Sequence, residues 1–444
     1  MGSSKSINNR KLAKTQKIGL ITAISLVVGN MIGSGIFVLP ATLAKYGSIS
    51  ILGWLFTATG ALILAKIFSN LSKILINQSG GPYLFARSGF GDFIGFLVAW
   101  GYWISCWVVN AAIAIAIISA LSVFFPILEE NSMLAVTIGL LFIWTFTYIN
   151  SKGIKTSGKF QVVTTFLKLL PLFFIIFVGV FFIDLSNFPA FNISDQNDFD
   201  AFSAVATLTL FAFLGIECAT IPAKNVKDPK TNIPKATMIG TTIAALVYVL
   251  GTVVLFGMLP IQELSTSPAP FAEAGRIIGG EYAAYFVAAG AAISAIGALN
   301  GWILITGQLP MAAAQDKMFP RLFKKENKNE APVIGLIIGS ILSSVLLLMN
   351  FSEGLVDQFE FAVLLTTLTA LIPYLFVAAA YIIVTISKHV FLSQPIQITA
   401  LSALGFAYTL WAIYGSGSET VFYGFILLLL AVPFYVLMKY NQSK

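Results

Sequence analysis

Twelve long apolar segments joined by short polar connections make up most of this chain. They run Ile18–Leu43, Ile51–Leu71, Phe93–Phe125, Met133–Ile149, Val162–Ile183 and Ala201–Ile221 in the first half. Ala236–Leu259, Tyr282–Ile305, Val333–Met349, Phe361–Ile386, Ile398–Tyr414 and Val421–Met438 follow in the second. A bilayer-spanning helix needs roughly 20 mainly apolar residues. Hydrocarbon offers a backbone no water to bond, so such segments must satisfy their own amides as helices. The pattern therefore predicts an all-α integral membrane protein with twelve transmembrane helices and the lipid bilayer as its surroundings. The third segment is too long for one perpendicular span and must tilt or overshoot. Only 10% of residues are charged, against about a quarter in soluble proteins. That excludes a soluble enzyme, a nucleic-acid binder and a disordered scaffold.

Charge placement sets the expected orientation. Twenty-two of the 26 lysines and arginines fall in the N-terminal tail, in the connections after even-numbered segments or at the C-terminus. The intervening connections hold only Lys45 and Arg276 and are rich in acids such as Glu129, Glu130, Asp184 and Glu353. The positive-inside rule then puts both termini in the cytoplasm. Lys66 and Lys168 lie within segments, about two turns from a basic end, where a lysine is expected to snorkel to water. Glu217 is left as the one acid deep in an apolar run. Cys106 and Cys218 sit in apolar stretches without metal-ligand spacing, and His389 is the only histidine. Neither a disulfide framework nor a metal site is expected. No cofactor is expected either.

Two segments are poor helices. The first reads Val28-Gly-Asn-Met-Ile-Gly-Ser-Gly-Ile-Phe37, and each glycine costs about 1 kcal/mol against alanine in a helix. It is either a packing face, since Gly29 and Gly33 form GxxxG, or an unwound stretch whose free N–H groups bind a carboxylate. The sixth segment repeats the feature in Phe211-Ala-Phe-Leu-Gly-Ile-Glu-Cys-Ala-Thr220. Paired glycine interruptions in corresponding positions of two halves point to a transporter site at an inverted-repeat interface. The expectation is a LeuT-like inverted 5+5 repeat with helices 1 and 6 broken, plus two C-terminal helices. In residues, the cytoplasmic tail is 1–17, the ten-helix core 18–386, and the added helices and short tail 387–444.

The motifs Gly33-Ser-Gly-Ile-Phe37, Gly80-Gly-Pro-Tyr83, Tyr102-Trp-Ile-Ser-Cys-Trp107, Phe213-Leu-Gly-Ile-Glu217, Asp228-Pro-Lys-Thr-Asn-Ile-Pro234 and Gly301-Trp302 resemble the amino acid–polyamine–organocation transporters. The resemblance runs from about Lys17 to Tyr440 and is nearest to the basic amino acid/polyamine antiporters, especially the bacterial arginine/agmatine exchangers. It implies antiport of a small cationic amino acid for its decarboxylated amine, or for another cationic amino acid, across the cell inner membrane. A homodimer is the candidate assembly.

The resemblance also implies roles. The substrate carboxylate would meet amides near Ser34 and Gly35, beside Asn30. Its amino group would meet carbonyls near Ile32, Phe211 and Ile216. Its side-chain cation would lie on Trp302, within reach of Asn110, the backbone of Cys106, and Thr366. Tyr83, Tyr102, Glu217 and Phe359 would serve gating or proton sensing. The exchangers carry tryptophan where this chain has Phe211, and serine where it has Thr366. Phenylalanine keeps an apolar lid but gives up the indole N–H and some cation–π attraction, which leaves the identity of the cation open.

Other classes fit less well. A membrane hydrolase or transferase needs clustered His, Asp or Cys. A channel would show charge rings or a filter repeat. The alternative kept open is proton-coupled symport of a cationic or neutral amino acid.

Overall fold

The first apolar segment folds as two helices, α1 (Leu20–Met31) and α2 (Gly35–Ala44), and Ile32 between them leaves the helical region at ψ 83°. The computed structural model describes residues 16–33, 35–122, 124–349, 355–415 and 418–443, without the side chains of 129, 355–365, 367, 368, 418–420 and 441–443. Ser34, the Phe359 side chain and residues 1–15 of the tail, for all of which a role or place is expected from sequence, lie outside the described residues.

The first half continues with α3 (Ile49–Ile74), α4 (Pro82–Phe90), α5 (Asp92–Ser122), α6 (Ile127–Glu130), α7 (Ser132–Ser151), α8 (Ile154–Gly179) and α9 (Asp198–Phe211). The second comprises α10 (Pro229–Met258), α11 (Ile261–Thr266), α12 (Pro270–Gln315), α13 (Val333–Met349), α14 (Leu355–Ser387), α15 (Pro395–Gly415), α16 (Ser418–Leu429) and α17 (Ala431–Ser443). The described residues contain no strand. Ten helical stretches among them are long and apolar enough to cross a membrane. The chain is thus a multi-pass, all-helical membrane protein.

Helix starts follow local chemistry. Pro82 and Pro229 open α4 and α10 at the first helical position, where the missing N–H costs nothing. In α12 the pair Gly279–Gly280 breaks helical geometry, with Gly280 at φ +67°, so the apolar run read from Tyr282 begins just past a kink.

The central element is α1, which packs on α8, α10 and α12, while α5 packs on α12 and α14. Small residues permit that approach. A Cβ on Gly29 would strike the side chains of Gln161 and Thr165 of α8, and one on Gly240 would meet Val27. Large apolar side chains such as Phe181, Tyr282 and Leu392 stand outward.

One expectation is overturned. Lys168 does not snorkel; it is fully buried. The helix carrying it begins at Ile154 rather than near Val162, so fourteen residues, about 21 Å of helix, separate Lys168 from that end. Lys155 and Lys159 made the first two turns of α8 look like a connection.

Candidate functional site

The sixth segment is helical only to Phe211, and residues 212–222 run as successive turns. Gly215 within them has φ +112°, and a Cβ there would lie 3.2 Å from Asn30 Cβ. Glycine is required at that point for both the left-handed backbone and the close approach, so the two breaks abut. Tyr248 of α10 joins them: its hydroxyl lies 2.6 Å from the Met31 carbonyl and 2.8 Å from that of Ala212. One phenol thus serves backbone acceptors freed in both segments.

Lys168 anchors the first break from the other side. Its ammonium donates to the carbonyls of Gly29 (3.0 Å), Ile32 (2.5 Å) and Ser294 (3.0 Å). Two of these belong to the C-terminal end of half-helix α1, where the helix dipole favours a cation. Three acceptors also match the three donors of an ammonium. The Ser294 hydroxyl reaches the Ile32 and Gly33 carbonyls at 3.0 and 2.9 Å. The Ile32 carbonyl, expected to meet a substrate amino group, is therefore already engaged by Lys168 and Ser294.

Between the breaks lies a cavity of about 40 Å³, lined by Asn30, Gly33, Gly35, Phe211, Ala298 and Trp302 among others. Phe211 and Trp302 are the aromatic side chains on its wall. The glycines now separate by role. Gly29 packs on α8, whereas a Cβ on Gly33 or Gly35 would meet Ala298 at 3.6 Å or Phe211 at 3.7 Å, ordinary contact distances. Trp302 is buried, with its indole N–H on the Asn30 carbonyl at 3.2 Å. The Asn30 side chain donates to Cys218 Sγ at 2.9 Å.

The remaining expected contacts stand off the cavity wall. Asn110 donates to the Thr306 hydroxyl at 3.0 Å, and that hydroxyl reaches the Cys106 carbonyl at 3.2 Å. Asn110 Oδ1 and Thr366 Oγ1 are buried with no partner among the described residues. A buried polar atom without a partner is costly, and a ligand that donates to it repays the cost. Ile216 is buried in the turns of segment six and does not reach the cavity wall. Thr306 and Tyr248 carried no signal in the sequence, being single polar residues in long apolar runs.

Glu217 lies in the same run of turns, fully buried. Its two carboxylate oxygens accept from the hydroxyls of Tyr102 of α5 and Tyr374 of α14. Tyr374 also takes the Gly215 N–H at 3.3 Å. The gating set expected from the sequence, Tyr83, Tyr102, Glu217 and Phe359, does not include Tyr374. Tyr83 sits elsewhere, donating to Asp316 at 3.0 Å beside Arg87. Burial, and then the Asp316 carboxylate, hold its phenol well above the usual tyrosine range, so Tyr83 stays protonated at physiological pH.

Comparison with known proteins completes the picture. The family model described as amino acid permease matches residues 18–439. The chain belongs to the amino acid permease family. This permease is 32% identical over 421 residues to the arginine/ornithine antiporter of Pseudomonas aeruginosa, covering 91% of this chain and 87% of that protein. It is 32% identical over 431 residues to the putrescine transporter PotE of Haemophilus influenzae, covering 97% and 98%. The cadaverine/lysine antiporter of Escherichia coli is 32% identical over 441 residues, with 97% of each chain covered. The permease is thus a transporter and not an enzyme.

Proposed function

We propose that the permease exchanges a cationic amino acid for its decarboxylated amine, or for a second cationic amino acid. The observation that carries this reading is the cavity between the two breaks, with Trp302 on its wall; the buried, unpartnered Asn110 Oδ1 and Thr366 Oγ1 are the acceptors we assign to the cation. The substrate carboxylate takes the N–H groups that open α2 at Gly35, where the dipole of a half-helix N-terminus favours negative charge. The side-chain cation lies on the Trp302 face, a desolvated contact worth about 2 kcal/mol, and donates to Asn110 and Thr366. Relatives named for arginine, ornithine, lysine, cadaverine and putrescine support a cation with or without a carboxylate.

The reading includes the layout. Residues 18–386 form two inverted five-helix repeats with their broken helices paired, and 387–444 add two further spans. The basic end of the bundle faces the cytoplasm of the inner membrane, with both termini there. Glu217, held by Tyr102 and Tyr374, gates the site by taking up or losing a proton.

Counterflow into proteoliposomes tests this reading. Vesicles loaded with arginine, lysine, ornithine, agmatine or putrescine take up radiolabelled arginine, and empty vesicles do not. Uptake by empty vesicles under an imposed pH gradient would establish the proton-coupled symporter instead.

A further inference from the structure

Thr306 stands one turn beyond Trp302 on α12 and does not line the cavity. Its hydroxyl is within bonding distance of the Trp302 carbonyl at 2.8 Å, the Cys106 carbonyl at 3.2 Å and Asn110 Nδ2 at 3.0 Å. A hydroxyl has one proton to give and two lone pairs to accept with. Carbonyls can only accept, so the proton goes to Trp302 or Cys106 and a lone pair faces Asn110. Asn110 must then turn its amide N–H toward Thr306, which leaves Oδ1 for some other donor. That oxygen is buried with no partner among the described residues. Asn110 shares its turns of α5 with Val109, Ala112 and Ile113, which do line the cavity.

Packing holds Thr306 in this role. A helical threonine divides between two rotamers, one of which bonds a carbonyl a turn back. A Cβ on Gly339 of α13 would strike Thr306 Cγ2, so the methyl occupies the space that glycine leaves and the hydroxyl stays on the Trp302 carbonyl. The Trp103 indole N–H takes the Thr306 backbone carbonyl at 3.1 Å, which ties this turn of α12 to α5. The consequence is chemical. Guanidinium and ammonium groups carry donors and no acceptor, so they pair with an amide oxygen and are repelled by an amide N–H.

We propose that Thr306 is a positioning residue for specificity: by accepting the Asn110 N–H it fixes Oδ1 as the acceptor for the substrate's cationic head. The pair thereby selects a cation over a neutral isostere such as citrulline, whose ureido group can pair with either end of an amide. The inference rests on the exchange reading above and adds to it a residue that touches no substrate.

Calorimetric affinities for arginine and citrulline test it, in the full-length wild type, Thr306→Val, Thr306→Ser, Asn110→Ala and the double variant Asn110→Ala/Thr306→Val. Thr306→Val keeps the shape and removes the hydroxyl, so the Asn110 amide is free to turn. It should lower the ratio of arginine to citrulline affinity about tenfold or more, mainly through arginine. Thr306→Ser restores the hydroxyl and should keep the wild-type ratio. In the Asn110→Ala background Thr306→Val should add no further loss, because the two act as one unit. An unchanged ratio in folded Thr306→Val would overturn the inference. So would equal loss of both ligands, or losses that add in the double variant, since Thr306 would then act through Trp302 or through packing. Those three outcomes leave the exchange reading standing, whereas equal binding of arginine and citrulline by the wild type would overturn that reading and this inference together. Should Thr306→Val not fold, Gly339→Ala displaces the Thr306 methyl instead, and it should lower the same ratio; an unchanged ratio there would overturn the inference equally.

Discussion

The two breaks each bury one ionisable side chain, and they use it differently. In the first, a cation on a regular helix, Lys168 of α8, reaches across to carbonyls that the interruption sets free. In the second, a carboxyl group lies within the turns themselves, and tyrosines from α5 and α14 come to it. Backbone without helical bonds survives at membrane depth only where protein or a wet cavity satisfies it. A half-helix C-terminus asks for a donor, so it takes lysine. The turns of segment six already carry internal bonds, such as Cys218 N–H to the Gly215 carbonyl and Thr220 N–H to that of Glu217. The first break is held by its charge; in the proposed function the carboxyl of the second serves as the switch.

Removing the cation should break that comparison most severely. Lys168→Met removes the ammonium from three buried carbonyls, of which Ile32 keeps the Ser294 hydroxyl; a buried acceptor left unsatisfied costs about 1–3 kcal/mol. The variant should lose exchange entirely and unfold at a markedly lower temperature in a thermal scan. Wild-type stability would mean that Ser294 alone holds the first break.

Glu217 should respond differently. Glu217→Gln keeps an acceptor for a tyrosine but cannot titrate, so it should bind substrate while its exchange rate loses dependence on pH. Glu217→Ala strands two buried hydroxyls and should be clearly less stable than the glutamine variant. Parallel rate–pH profiles for wild type and Glu217→Gln would remove the switch from this residue. Tyr83 would not replace it, because its phenol stays protonated across the range.

Among the glycines the expected effects are smaller and divide by position. Gly33→Ala should fold and transport, since its Cβ has ordinary room beside Ala298, and Gly33→Leu should fold but block the cavity. Gly29→Ala should instead lower stability, by forcing α1 off Gln161 and Thr165. The smallest change is at the lid: Phe211→Trp should raise affinity for a cationic substrate a few-fold, because indole is the better cation–π face.

The apolar runs made the helices readable, since a bilayer demands long apolar helices and little else. The breaks were readable because glycine and asparagine are costly in a helix, and Glu217 stood out as the one acid deep in an apolar run. What stayed hidden was pairing. Lys168 looked like a snorkelling residue because nothing in a sequence tells which face of a helix a lone lysine occupies. Tyr248, Tyr374 and Thr306 act through a single hydroxyl each, and an apolar run containing one looks like any other. The kink at Gly279–Gly280 and the division of the last span between α16 and α17 leave no mark on hydropathy either.

The central claim is that the cavity between the breaks takes a cation on Trp302. Calorimetric titration of arginine and agmatine into purified wild type, Trp302→Phe and Trp302→Ala tests it directly. Losing a contact of about 2 kcal/mol corresponds to a roughly thirtyfold weaker affinity. Trp302→Ala should show at least that loss for both ligands, with Trp302→Phe in between and all three proteins equally folded. Unchanged affinity in a folded Trp302→Ala protein would place the cation elsewhere and contradict the account.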